Sequence, residues 1–159
     1  MTPLISLVGR HNSGKTTVLI ALLHELKKRN LRAAVIKHSH GYFSFNGEND
    51  SDRLFNTGVE AVYAVSPDIT LRYRRQMEVG LTEYLTEFVE DDLDLILLEG
   101  YKQESLPKIE ILRQEIDCIS MGLEGTLAIV SDFELTTDLV RFLPHEISPL
   151  CDFILDQVL

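Results

Sequence analysis

Apolar and polar positions divide the chain into short buried runs and amphipathic stretches. Leu4-Ile5-Ser6-Leu7-Val8 is an apolar run that stops abruptly at Gly9, which predicts a buried strand. From Lys15 to Arg29 the period changes. Val18, Leu19, Leu22, Leu23 and Leu26 recur at helical spacing, Lys27, Lys28 and Arg29 fill the last turn, and Asn30 follows as a stop. Leu31 to Lys37 reads as a second strand, so the chain as far as Lys37 predicts a right-handed βαβ unit with parallel strands.

Beyond it, 38–49 reads as a polar loop, and Asp50-Ser51 as the cap of a short helix that reaches Thr57 and ends at Gly58. Val59 to Val65 is a third strand. Ile69 to Arg75 alternates apolar and polar residues with the strand period, and Ser66-Pro67-Asp68 before it suggests a hairpin arm that protrudes. Leu81 to Val89 reads as a helix. Leu93 to Glu99 is nearly all apolar and predicts a central strand buried on both faces. Lys108 to Leu112 and Thr126 to Ser131 are further strands, and Glu146 to Val158 is a closing helix. Alternation of this kind predicts α/β architecture, with helices on both faces of a mostly parallel sheet.

Composition narrows the functions. The chain has 159 residues, with 15 Lys and Arg against 25 Asp and Glu, a net charge of −10. One domain over 1–159 is expected at this length. The acidic balance argues against coating a nucleic acid polymer or an anionic membrane. Cys118 and Cys151 are too few for a disulfide framework or a four-thiolate zinc site. No signal-peptide pattern and no apolar run of spanning length stand out, so a cytoplasmic location is expected.

Gly9-Arg10-His11-Asn12-Ser13-Gly14-Lys15-Thr16 fits G-x-x-x-x-G-K-[ST] at every fixed position, between a strand and an amphipathic helix. Gly9 and Gly14 permit the backbone to wrap a phosphate chain, and Asn12 tolerates a left-handed conformation. Lys15 would reach the β and γ oxygens, Thr16 would place its hydroxyl on Mg²⁺, and the helix would direct its positive end at the anion. A purine nucleoside triphosphate is the expected ligand. The fold expected is therefore a three-layer P-loop NTPase fold, a single nucleotide-binding domain. Glu99 ends the central strand at the carboxyl edge of the sheet, where it could serve Mg²⁺, whereas Asp94 begins the strand at the opposite edge.

Other residues carry two readings each. His38 and His40 could bind a transition metal or line a solvated loop. Asp50 and Arg53 share one helix face and could orient a water and contact an anion, or form a surface ion pair. Arg72, Arg74 and Arg75 could form an anion or partner surface, or a solvated strand face. Asn-Lys-x-Asp, the usual guanine reader, does not occur. Ser131-Asp132 could accept hydrogen bonds from guanine, or cap the turn after its strand.

In combination these residues resemble the MobB family, the molybdopterin-guanine dinucleotide biosynthesis adapter proteins. The resemblance rests on Val8 to Thr17, Val35-Ile36-Lys37-His38, Asp50-Ser51-Asp52-Arg53 with Gly58-Val59-Glu60-Ala61, and Leu97-Leu98-Glu99-Gly100-Tyr101-Lys102. It continues through Pro107-Lys108-Ile109-Glu110, Val130-Ser131-Asp132 and Asp152-Phe153-Ile154. It implies a homodimer that binds GTP and supports the attachment of GMP to molybdopterin by a separate guanylyltransferase, with molybdopterin itself as a further ligand. Carried over, Gly9 to Thr17 would bind nucleotide, with Thr16 and Glu99 on Mg²⁺. Lys37, His38, Asp50, Arg53, Lys102 and Lys108 would face substrate or partner. Gly41-Tyr42 stands where the family leads one to expect an acid, and Asn12 replaces a frequent glycine. Hydrolysis would be weak, with Lys15 supplying charge and Asp50 positioning water. Two other functions fit the same scaffold: a small-molecule kinase or ATP-dependent ligase, and a nucleotide-gated metal chaperone using His38 and His40.

Overall fold

The computed structural model describes residues 2–39, 41, 43–89 and 91–158. In chain order the elements are β1 (Leu4–Gly9), α1 (Lys15–Lys28), β2 (Ala33–Lys37), α2 (Asp50–Asn56), β3 (Ala61–Val65), β4 (Thr70–Arg74) and α3 (Leu81–Thr86). Then follow β5 (Leu95–Glu99), β6 (Lys108–Leu112), β7 (Thr126–Ser131), β8 (Val140–Phe142) and α4 (Ile147–Val158). The chain divides into two compact units, Met1–Ser39 with Thr86–Leu159, and His40–Leu85.

The larger unit is built on a six-stranded sheet in the order β2-β5-β1-β6-β7-β8, with every pairing parallel. This is the mostly parallel α/β architecture that the alternating pattern predicts. The crossover through α1 brings β2 beside β5 and leaves β1 in the middle, paired to β5 on one side and β6 on the other. Ile5, Leu7, Leu97, Ile109, Ile111 and Val130 point to one face and pack against Leu22 and Leu26 of α1 and Leu150 and Ile154 of α4. Each of these buried aliphatic side chains contributes about 1.5–3 kcal/mol by leaving water. The opposite face buries Ser6, Lys108, Glu110 and Ser131 beside apolar neighbours.

Strand β8 is absent from the sequence reading, because three residues are too few to display a period. Helix α3 ends at Thr86 rather than Val89, and the chain continues in turns closed by Val89 N on Thr86 O and Asp91 N on Phe88 O. Among the described residues no helix is long and apolar enough to cross a membrane.

In the smaller unit β3 and β4 pair antiparallel as the expected hairpin, with Val62 opposite Tyr73 and Ala64 opposite Leu71. Helix α2 begins one residue after its cap: Asn49, not Asp50, accepts the Asp52 amide at 2.8 Å. Phe45, Phe55 and Tyr73 form a ring cluster with centroids 5.0–5.7 Å apart. Arg75 lies 4.3 Å over the Phe55 ring and donates to the Phe55 and Val59 carbonyls, so this arginine closes the cluster.

Candidate nucleotide-binding site

The loop between β1 and α1 owes its shape to two glycines and an asparagine. A Cβ at Gly9 would lie 2.5 Å from both the Ile111 carbonyl oxygen and the Ser13 hydroxyl, so only glycine lets the end of β1 run this close to β6. Asn12 takes φ 60, the left-handed conformation assigned to it from sequence, and Gly14 takes φ 91. Gly14 is the N-cap of α1, with no side-chain cap and no acid in the first turn, and the first helical bond runs from Val18 N to Gly14 O. The first-turn amides therefore present donors and the positive end of the helix dipole with no side-chain acceptor, an arrangement suited to an anion. Lys15 folds back over the loop, donating to the Gly9 and Arg10 carbonyls at 3.2 and 2.7 Å.

Strand register places the remaining groups. Lys37 pairs with Glu99, and Glu99 with Leu7 two residues before the end of β1, so the parallel strands β2, β5 and β1 all end at one carboxyl edge. There Thr16 Oγ1 donates to Glu99 Oε1 and Oε2 at 3.0 and 2.9 Å. Lys37 Nζ stands 3.0 Å from Glu99 Oε1 and donates to Thr16 Oγ1 at 3.2 Å. Glu99 is only 6% exposed, and a buried carboxylate is tolerable because these partners are in place. The Lys15 ammonium is held below its usual pKa, chiefly by burial; Glu99 opposes this, while Lys102 and Lys37 add to it. The turn after β5 is pinned to the neighbouring strands. Ser6 Oγ donates to Gly100 O at 2.5 Å, Gly100 N to Leu7 O, and His38 N to Glu99 O. The His38 and Tyr101 rings face each other at 5.1 Å across this turn.

These donors match the oxygen ligands that Mg²⁺ prefers, one carboxylate and one hydroxyl. They do not match a transition metal. Among the described residues no three His, Cys, Asp or Glu side chains cluster, and His40 lies outside those residues.

Several expected site residues have other partners. Arg10 forms an ion pair with Asp117 in the turn after β6. The Asp117 carboxyl is held below its usual range, first by the Ile119 amide and then by Arg10. His11 is exposed, and Thr17 lines a groove with Ser13, Gly14, Arg113 and Pro144. Ser131 is buried and donates to the Phe133 carbonyl, so it is unavailable to a base. Asp132 accepts the Gln114 amide at 2.8 Å. In the smaller unit Asp50 and Arg53 form an exposed ion pair at 3.4 Å, the surface-pair alternative. Lys108 corrects the expectation that it faces substrate. It is 2% exposed and donates to the Glu104, Leu106 and Glu124 carbonyls at 2.7, 3.0 and 2.8 Å. Nothing local in the sequence marks Lys108 as buried, or Arg10 as paired with Asp117, since both depend on segments distant along the chain.

The model of the family described as molybdopterin guanine dinucleotide synthesis protein B matches residues 4–132. A molybdopterin-guanine dinucleotide biosynthesis adapter protein of Haemophilus influenzae is 34% identical over 155 residues, covering 96% of this chain and 87% of that protein. Its Escherichia coli counterpart is 27% identical over 163 residues, covering 98% and 93%. The crystal structure of Bacillus subtilis MobB aligns with a TM-score of 0.79 at 24% identity, over 99% of this chain and 98% of that one. A MobB homolog from Bacillus stearothermophilus aligns with a TM-score of 0.76 at 22% identity, over 97% and 96%. At these identities the two structures establish a shared fold.

Proposed function

We infer the function from one premise: this chain belongs to the family of molybdopterin guanine dinucleotide synthesis protein B. We propose that it is a single-domain cytoplasmic adapter that binds GTP with Mg²⁺ and assists a separate guanylyltransferase in converting molybdopterin to its guanine dinucleotide form. Gly9 to Thr17 hold the phosphates through backbone amides, Lys15 and Lys37 neutralise their charge, and Thr16 and Glu99 hold the metal. Mg²⁺ supplies charge neutralisation at the phosphate oxygens. Hydrolysis is slow, because Glu99 is engaged by Thr16 and Lys37 rather than by a water. Molybdopterin, with its own phosphate, is a second anionic ligand for the same edge.

The observation that carries this reading is the meeting of Lys15, Thr16, Lys37 and Glu99 beneath an uncapped helix start. The adapter works as a homodimer through the β3–β4 hairpin. The hairpin exposes Tyr63 and Val65 on one face and Leu71, with Ile69 just before β4, on the other, apolar groups at its tip that a second copy could clasp from both sides. Calorimetric titration with GTP and ATP in Mg²⁺ tests the reading. GTP should bind in preference to ATP, and Lys15→Ala should weaken it about 10- to 100-fold, the worth of a charge-assisted contact. Absence of guanine nucleotide binding, or an unaffected Lys15→Ala variant, would overturn it. Light scattering of Leu71→Arg against the native chain tests the dimer.

A further inference from the structure

Lys37 holds both oxygen groups that a divalent cation would use. Its ammonium donates to Thr16 Oγ1 at 3.2 Å and stands 3.0 Å from Glu99 Oε1, while the same hydroxyl is bonded to the same carboxylate at 2.9 and 3.0 Å. A cation of charge +2 and an ammonium cannot share these lone pairs at such distances without strong repulsion. Glu99 cannot escape, being at the end of a central strand with a side chain 7% exposed. The Lys37 side chain is 48% exposed, on a long stem at the end of the edge strand β2, so it can swing outward.

We propose that Lys37 is the resident counter-ion of the Mg²⁺ site, an inference that rests on the reading of Thr16 and Glu99 given above. In the nucleotide-free protein Lys37 neutralises Glu99 and holds Thr16 in register. It must leave both when a divalent cation enters. Phosphate oxygens arriving at the start of α1 give the displaced ammonium a new anionic partner, so metal and nucleotide bind with mutual reinforcement. Metal alone meets a site already filled by a positive charge and binds weakly. Lys37 is thus a positioning residue that makes loading of the metal depend on the ligand.

Titration of the nucleotide-free full-length protein with Mn²⁺, followed by electron paramagnetic resonance of the free ion, tests this without reference to activity. Lys37→Met should bind Mn²⁺ at least about tenfold more tightly than the native chain, and Lys37→Arg should bind as weakly as the native chain. Lys102→Met removes the same charge from the vicinity but from a residue bonded to neither oxygen, and should shift the affinity less than about twofold. Adding GTP should then tighten Mn²⁺ binding strongly in the native chain and far less in Lys37→Met. Equal Mn²⁺ affinity for native and Lys37→Met protein overturns the proposal, as does a Lys102→Met effect equal to that of Lys37→Met. Lys37→Gln gives the same readings should the Met variant fail to fold. If the protein binds no guanine nucleotide, the functional reading falls, while the Mn²⁺ titrations without nucleotide still decide the role of Lys37.

Discussion

The two faces of the parallel sheet bury residues equally well, but they differ in the polar and charged side chains they admit. Toward α1 and α4 the inward side chains are aliphatic, from Ile5 and Leu7 through Leu97, Ile109 and Ile111 to Val130. Toward the other side the same strands bury Val8, Ile96, Leu98 and Ile129 together with the polar Ser6, Lys108, Glu110 and Ser131. The difference lies in what covers each face. A helix satisfies its own backbone groups and asks only for apolar contact, whereas a loop carries unpaired amides and carbonyls that must be met when water is excluded. Lys108 meets three such carbonyls, and Glu110 accepts the Ser120 hydroxyl and the Met121 amide at 2.5 and 2.7 Å. Buried charge is therefore used where irregular backbone packs on the sheet.

The contrast can be broken most severely at Lys108. Lys108→Met keeps the volume but leaves three carbonyls dry, each worth about 1–3 kcal/mol, so urea unfolding should show a loss of at least about 3 kcal/mol. A variant as stable as the native chain would mean that water or another donor serves those carbonyls. At the junction of sheet and phosphate loop, Gly9→Ala forces a methyl against the Ile111 carbonyl. It should cost about 1–3 kcal/mol and weaken nucleotide binding in the same calorimetric titration. On the helical face Ile154→Val removes one methyl from an apolar environment and should cost only about 0.5–1.5 kcal/mol, with nucleotide affinity unchanged.

The smallest effect belongs to a solvent-facing pair. Asp117 is held below its usual carboxyl pKa by the Ile119 amide and by Arg10. Its contribution is therefore complete above the unfolded value of 3.8 and fades as the pH falls through the lower folded one. Stability measured downward from pH 4 should drop slightly less steeply in Asp117→Asn than in the native chain, and high salt should shrink that difference.

Legibility from sequence follows how local each cause is. The strand-loop-helix around Gly9 to Thr16 reads directly, because glycine positions, the left-handed Asn12 and the helical period are properties of adjacent residues. The apolar run ending in Glu99 likewise places that acid at the carboxyl edge, and Asp94, bonded to the Arg32 amide at 2.7 Å, lies at the opposite one as expected. The burial of Lys108 is illegible in the sequence because a cation in a short strand has no local mark of burial; its carbonyls come from Glu104, Leu106 and Glu124. For Ser131 the sequence leaves a base contact and a turn cap open; the structure favours the cap, with its hydroxyl on the Phe133 carbonyl in the turn after β7 and its strand lying between β6 and the three-residue β8.

Order along the chain thus determined the βαβ start, the hairpin, the G-x-x-x-x-G-K-T spelling of the loop after β1 and the family, all of which depend on spacing within a few residues or on combinations of short motifs. Only the tertiary structure decided that Lys37 shares one carboxylate with Thr16, that Arg10 is tied to Asp117, and that one sheet face is charged inside. Strand register is set by long-range pairing, and register chooses which charges meet. The burial that makes those meetings matter exists only after the layers have closed.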